Sequence, residues 1–168
     1  MAEQSNFILN LSILYRNTQK YFDKMLSKYD IGSGQLLFLL IINENEGITM
    51  QEITRISEVD KGTTTKSVQK LMEQGYVQAV VDEKDHRIKR MHTTLKASMI
   101  IKDVYEVRNR CRSLLSSGMN FDSFEKMLEK ACENARESLL PEALYTDIKI
   151  GGMQKMTLLD YPGHIACT

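Results

Sequence analysis

The sequence predicts a mainly α fold of the α+β kind, with six helices interrupted once by a two-stranded hairpin. Three observations carry that prediction. Apolar residues recur at spacings of three and four along most of the first 140 residues. Helix start and stop signals punctuate them, with Thr49 and Asp60 as caps and Gly47 and Gly75 as stops. Only residues 76–81 and 90–93, either side of a polar turn at 82–87, change to the period and residue types of strands.

The first helix runs from Phe7 to Tyr29, with Phe7, Leu11, Leu14, Thr18, Tyr21, Met25 and Tyr29 on one stripe and Ile8, Tyr15, Phe22 and Leu26 on a flanking row. That stripe is wide and aromatic, and fits either an ordinary core face or a dimer interface. Ser33 is placed to cap a second helix, whose residues 36–42 are apolar on every side and so belong at the buried centre. Thr49 and Glu52 have the spacing of a capping box, starting a short helix that turns Ile53 and Ile56 inward and ends near Ser57. Asp60 caps the next helix, which buries Val68, Leu71 and Met72 and ends at Gly75. After the hairpin come helices over 98–116 and 121–140, and Pro141 marks the stop. Residues 142–168 carry the turn signals Gly151-Gly152 and Pro162-Gly163, lack helical period, and read as a separate piece.

Composition narrows the function classes. Lys+Arg and Asp+Glu balance at 22 each, which excludes a uniformly basic nucleic-acid coat and an acidic tail. The balance is uneven along the chain: residues 49–97 hold nine basic against seven acidic residues, a net +2. No apolar run reaches the roughly 18 residues of a membrane span, and the N-terminus lacks a signal-peptide layout, so a cytoplasmic protein without membrane association is expected. Three cysteines (Cys111, Cys132, Cys167) without C-x-x-C spacing indicate neither a disulfide framework nor a zinc knuckle. Cys111 and Cys132 fall near apolar helical positions and are expected to be buried, inert thiols. His86 and His92 have no companions at metal-ligand spacing, so no metal and no cofactor is assigned.

Residues 49–94 have the order of a helix-turn-helix followed by a β-hairpin wing, with Ser57-Glu58-Val59-Asp60 as the connection. Such a turn aims the second helix's N-terminal half at a DNA major groove. Opposite its apolar side lie Thr63, Lys66 and Lys70, with Lys61, Gly62, Thr65 and Gln69 near the leading edge. Short hydroxyl side chains, a glycine and lysines suit close approach to phosphates and base edges. An ordinary solvated face has no use for a Gly and three consecutive Thr, which cost helix propensity. Glu73 lies further along, away from DNA. In the wing, Lys84, Arg87, Lys89 and Arg90 against Asp85 give +3 over residues 84–90. Asp85 and Arg87 are spaced for a salt bridge that stiffens the turn, leaving Arg87 or Lys89 to reach a minor groove.

Residues 60–66 (DKGTTTK), the exit Gln74-Gly75-Tyr76-Val77 and the wing 85–90 (DHRIKR) through Thr94-Leu95-Lys96 resemble the MarR family of bacterial winged-helix transcriptional regulators, over roughly residues 6–140. The most specific part is the D-x-R-x-x-[KR] wing after a Gly-terminated recognition helix. Gly62, where the family often has Ser, and Ala97, where a Gly often follows the wing, depart from the pattern. The resemblance implies a winged helix-turn-helix with a helical dimerisation region built from the first and last two helices (6–30 and 98–140), and a DNA-binding region at 32–95. It implies an obligate homodimer, with recognition helices in successive major grooves of palindromic double-stranded DNA and wings at the flanking minor grooves. By position, Lys61, Thr63, Thr65, Lys66, Gln69 and Lys70 would contact bases and phosphates, and Arg87 would be the wing arginine, with Lys84, Lys89 and Arg90 beside it. A small phenolic or lipophilic effector, or oxidation, is the family's usual signal, but this chain has no cysteine near the first helix.

Residues 148–167 instead resemble the opening segment of radical-SAM enzymes that activate glycyl-radical enzymes and anaerobic ribonucleotide reductase. Their C-x₃-C-x₂-C cluster motif is absent from these 168 residues, so no [4Fe–4S] site and no enzymatic activity are inferred. A fusion cut short, a deliberate truncation, or a tail reused for interactions each fit; a strand severed from its sheet has little to pair with, which favours the first two. The tail is expected to be mobile or to lie on the dimer surface. The expectation for the whole is a DNA-binding repressor, not an enzyme; the alternatives are a regulatory or docking module of a truncated radical-SAM activase and a winged helix used only for protein contacts.

Overall fold

A computed structural model describes residues 6–138, and these fall into two units that divide between Leu115 and Ser116. The expectations for residues 142–168 lie outside the described residues.

The first unit opens with α1 (Phe7–Leu26), followed by a single 3-10 turn (Ser27–Tyr29) that stops at Asp30 in the left-handed conformation, φ 56°. Next come α2 (Ser33–Glu44), β1 (Ile48–Thr49), α3 (Met50–Ser57) and α4 (Lys61–Glu73). The wing strands β2 (Val77–Val81) and β3 (Lys89–Thr93) and the helix α5 (Leu95–Leu115) complete it. The strands form an antiparallel sheet in the order β1-β3-β2, with Ile48 opposite Met91 and Ala79 opposite Met91 on the other side.

The core forms where the apolar faces of these elements meet around α2. Leu39 and Ile42 of α2, Ile53 of α3, Val68 and Leu71 of α4 and Val104 of α5 are all fully buried. Together with Leu26 and Ile31 they make one hydrophobic cluster, the main source of stability for a domain of this size. Hydrogen bonds tie the 3-10 turn that follows α1 to α5 at the core's edge. Tyr29 donates its hydroxyl to Asp103, and Lys28 pairs with the same carboxylate at 2.9 Å. The second unit is described through α6 (Phe121–Ser138), which begins with Asn120 capping the Ser123 N–H at 2.9 Å and buries no residue completely.

Several sequence expectations are corrected. Ser33 is the first helical residue rather than the cap; Gly32 occupies the cap, and the Gln35 side chain reaches back to accept its N–H at 3.0 Å. Ile56 and Met72 are 44% and 37% exposed, because each sits at the edge of its helix's apolar stripe rather than at its centre. β1 is a strand that two residues of sequence do not signal. α5 starts three residues before the expected Ser98, with the Thr94 hydroxyl accepting from the Ala97 N–H. Cys111 is buried, which pushes its thiol pKa up, but Cys132 is exposed. Among the described residues no single helix is long and apolar enough to cross a membrane.

Candidate nucleic-acid interface

The helix-turn-helix is built from local caps. Thr49 accepts the Glu52 N–H at 3.3 Å while the Glu52 carboxylate accepts the Thr49 N–H at 2.9 Å, so each satisfies the other's orphan donor. These bonds hold the Glu52 carboxyl below its ordinary pKa, the Thr49 backbone N–H contributing most. Helix α3 ends on Glu58 in the left-handed region (φ 54°), its N–H closing onto the Thr54 carbonyl at 3.1 Å. Two residues later Asp60 opens α4 by accepting the Thr63 N–H at 2.9 Å, and that bond depresses the Asp60 pKa. Caps this close together fix the angle of the two helices with a three-residue link, 58–60.

The three threonines of α4 have different tasks, which the sequence pattern alone does not separate. Thr64 is fully buried and donates its hydroxyl to the Val59 carbonyl at 3.3 Å, pinning the turn. Thr65 is exposed and donates back to the Lys61 carbonyl at 2.7 Å. Thr63 is exposed beside the cap. Lys61, Thr63, Thr65, Lys66, Gln69 and Lys70, the six positions expected from sequence, are all exposed on α4. Facing inward are Thr64, Val68 and Leu71, and at 100° per residue the opposite direction passes through Gly62, Lys66, Gln69 and Glu73. Glu73 is therefore on the same face as the lysines, one turn beyond Gln69, and accepts the Gln69 side-chain N–H at 3.2 Å.

The wing is organised by two aspartates. Asp82 accepts the N–H groups of Lys84 (2.9 Å) and Asp85 (3.0 Å), and its other oxygen takes Arg90. Asp85 takes Arg87 in a bidentate pair of 3.0 and 2.9 Å. Arg90 and Arg87 hold these carboxyl groups well below their usual range. The two arginines nevertheless differ. Arg87 keeps 90% of its side chain exposed although paired, so Asp85 presents it rather than hiding it. Arg90 is half-buried and also donates to the Gly47 carbonyl at 3.0 Å, joining the wing to the turn just before β1. Lys84 and Lys89 are exposed, and with Lys61, Lys66 and Lys70 they form no ion pair among the described residues. Five uncompensated ammonium groups and one displayed guanidinium on a single unit offer charge to phosphate oxygens.

No group of three or more His, Cys, Asp or Glu that could hold a metal occurs among the described residues. Sequence reasoning passed over Glu46, which ties α2's exit to the last residues of β3. It accepts from the Thr93 N–H at 3.2 Å and sits 3.0 Å from His92 Nδ1. The contact spans 46 residues of sequence, and no local spacing announces it.

Residues 29–88 match the model of the MarR family. The chain is 27% identical over 94 residues to the HTH-type transcriptional regulator BilQ of Clostridioides difficile (strain CD3), covering 56% of this chain and 64% of that protein's length. A MarR transcriptional regulator from Methanosarcina mazei Go1 has the same fold with a TM-score of 0.69, 33% identity, and coverage of 75% of this chain and 93% of that one. A mutant MarR from E. coli, solved complexed with operator DNA, shares the fold at a TM-score of 0.64 and 21% identity, covering 72% and 89% of the two chains. With the Methanosarcina mazei relative one-third identical across an alignment covering 93% of it, the chain belongs to the MarR family.

Proposed function

We propose that this chain is a sequence-specific DNA-binding transcriptional regulator, a repressor that binds palindromic operator DNA as a homodimer and catalyses no reaction. The observation that carries the reading is the set of exposed lysines on α4 and the wing, with the exposed Arg87 held in place by Asp85. Lys66 and Lys70 meet phosphates, Lys61, Thr63, Thr65 and Gln69 stand at base edges, and Arg87 enters a minor groove with Lys84 and Lys89 alongside. Arg90 supports the wing and offers its remaining donors to the backbone. Operator DNA in the complex of the E. coli relative supports the choice of duplex DNA as partner.

Residues 32–95 form the DNA-binding region, and 6–30 with 98–140 the dimerisation region. Support for the latter comes from α1, where Phe7, Ile8, Leu11 and Tyr15 are 64%, 73%, 51% and 64% exposed, more apolar surface than a solitary helix leaves in water. An effector acts by changing the spacing of the two recognition helices and so the operator affinity. Such a regulator works in the cytoplasm, where its DNA is. The test is anisotropy of the purified chain on labelled duplex from its own upstream DNA and on a scrambled duplex. The expected result is tighter binding to the upstream duplex, weakening steeply with salt; equal, salt-insensitive binding to both overturns the reading.

A further inference from the structure

We propose that Gln69 specifies an adenine in each operator half-site and that Glu73 is the positioning residue that orients it. The assignment deepens the DNA-reading function above and rests on it. On the outward line of α4 stand Gly62, Lys66, Gln69 and Glu73, all exposed. Gly62 has no side chain, and Lys66 is a point charge on a flexible stem, suited to phosphate more than to a base. Gln69 alone carries a donor and an acceptor side by side in one plane, the pattern that adenine N7 and N6 complement in the major groove.

A free glutamine amide reads poorly because it flips, exchanging its donor and acceptor ends. Glu73 removes that freedom. It lies one helical turn on and accepts the Gln69 Nε2–H at 3.2 Å. An ionised carboxylate has no proton to give, so only the orientation with Nε2 toward Glu73 is satisfied. The other Nε2 proton and Oε1 then remain for the base. Adenine offers an acceptor and a donor to match; guanine presents two acceptors, N7 and O6, and sets its O6 against the Gln69 carbonyl. Thr65, one turn earlier, has donated its hydroxyl proton to the Lys61 carbonyl at 2.7 Å and so offers its methyl group to a neighbouring base, the contact a thymine methyl makes. A carboxylate on a DNA-facing line repels phosphate and weakens binding in general, a cost that orienting Gln69 explains.

The test selects duplexes from a randomised double-stranded pool with the full chain, then compares Gln69→Ala, Glu73→Ala and Glu73→Gln on single-base variants of the enriched site. The wild type should enrich an A·T pair in each half-site and discriminate against its replacement by about 5- to 150-fold. Gln69→Ala should abolish discrimination at that pair alone. Glu73→Ala should tighten binding to every duplex while lowering discrimination at the same pair, and Glu73→Gln, which keeps an acceptor, should fall between. Because both positions are exposed, loss of fold is checked by helical content and melting. If the wild type enriches a site and Gln69→Ala leaves its profile unchanged, or weakens all variants equally, the assignment is overturned and the DNA-reading function stands. If the wild type enriches nothing, both fall.

Discussion

The exposed faces of α4 and α1 belong to one compact unit and could hardly be less alike. On α4 the residues left in water are mostly polar: lysines, two small threonines, a glycine, Gln69 and Glu73, with Met72 at the edge, arranged around an aspartate cap. On the first half of α1 they are mostly large apolar residues, Phe7, Ile8, Leu11 and Tyr15 among them, with no charged residue between Phe7 and Tyr15. Water tolerates the first surface indefinitely and penalises the second by about 25 cal/mol per Å² left uncovered. The difference teaches that exposure alone does not mark function. A polar face held rigid by caps suits an anionic partner that must be released, whereas an apolar face suits a partner kept throughout, and a second copy of the chain is always at hand.

The comparison can be broken from either side. The largest effect is expected on the apolar face. Ile8→Lys with Tyr15→Lys places four cations in a two-fold interface and removes about 1.5–3 kcal/mol of burial per side chain, so self-association measured by sedimentation should weaken at least about 1,000-fold. Dimers that persist would show that α1 does not join the two copies. A smaller effect is expected on the polar face. Lys66→Ala should weaken binding about equally on all duplexes, and Arg87→Ala most on those whose minor groove at the wing is narrow, with the oligomeric state unchanged in both. Each should lower the slope of log affinity against log salt by about one for every phosphate the side chain neutralises. An undiminished slope would remove these residues from the interface. Smaller again is Thr49→Ala, which takes away one half of the capping box and should cost about 1 kcal/mol of stability by chemical denaturation; no loss of stability would mean the cap is idle.

Acid gives the smallest and most diagnostic change. Asp60, Asp82 and Asp85 have pKa values lowered in the fold, by the Thr63 N–H, by Arg90 and by Arg87 respectively. Groups depressed on folding contribute stability that is present above their ordinary pKa and lost as pH falls through the lowered one. The cap of α4 and the ties of the wing should therefore hold unchanged down to about pH 4 and loosen below it. Amide exchange followed from pH 6 to 3 should show residues 82–90 opening as acid is added, once corrected for intrinsic rates; protection that rises toward acid would reverse the sign of the account.

Much of this fold and site is legible in the sequence, for a physical reason. The Thr49–Glu52 box, the Asp60 cap and the Asp85–Arg87 pair act over two or three residues, so residue type and spacing already contain the interaction. What escapes is non-local or depends on edges. β1 is a strand only because Ile48 and Thr49 meet Met91 and Arg90 from 41 to 43 positions away. Glu46 reaches Thr93 across 47. Ile56 and Met72 have the right spacing for burial but not a neighbour to cover them, and Thr64 reads as polar until the turn closes over it. Among the site residues, Glu73 looks remote from DNA in the sequence, whereas the helix turns it onto the same face as Gln69.

The claim that one face of this unit joins copies while the other reads DNA is tested most directly by the stoichiometry of the complex. Sedimentation of the full chain with a short duplex from its upstream DNA should give two chains per duplex, formed from a dimer already present without DNA. A single chain per duplex, or a monomer that pairs only when DNA is added, would contradict it.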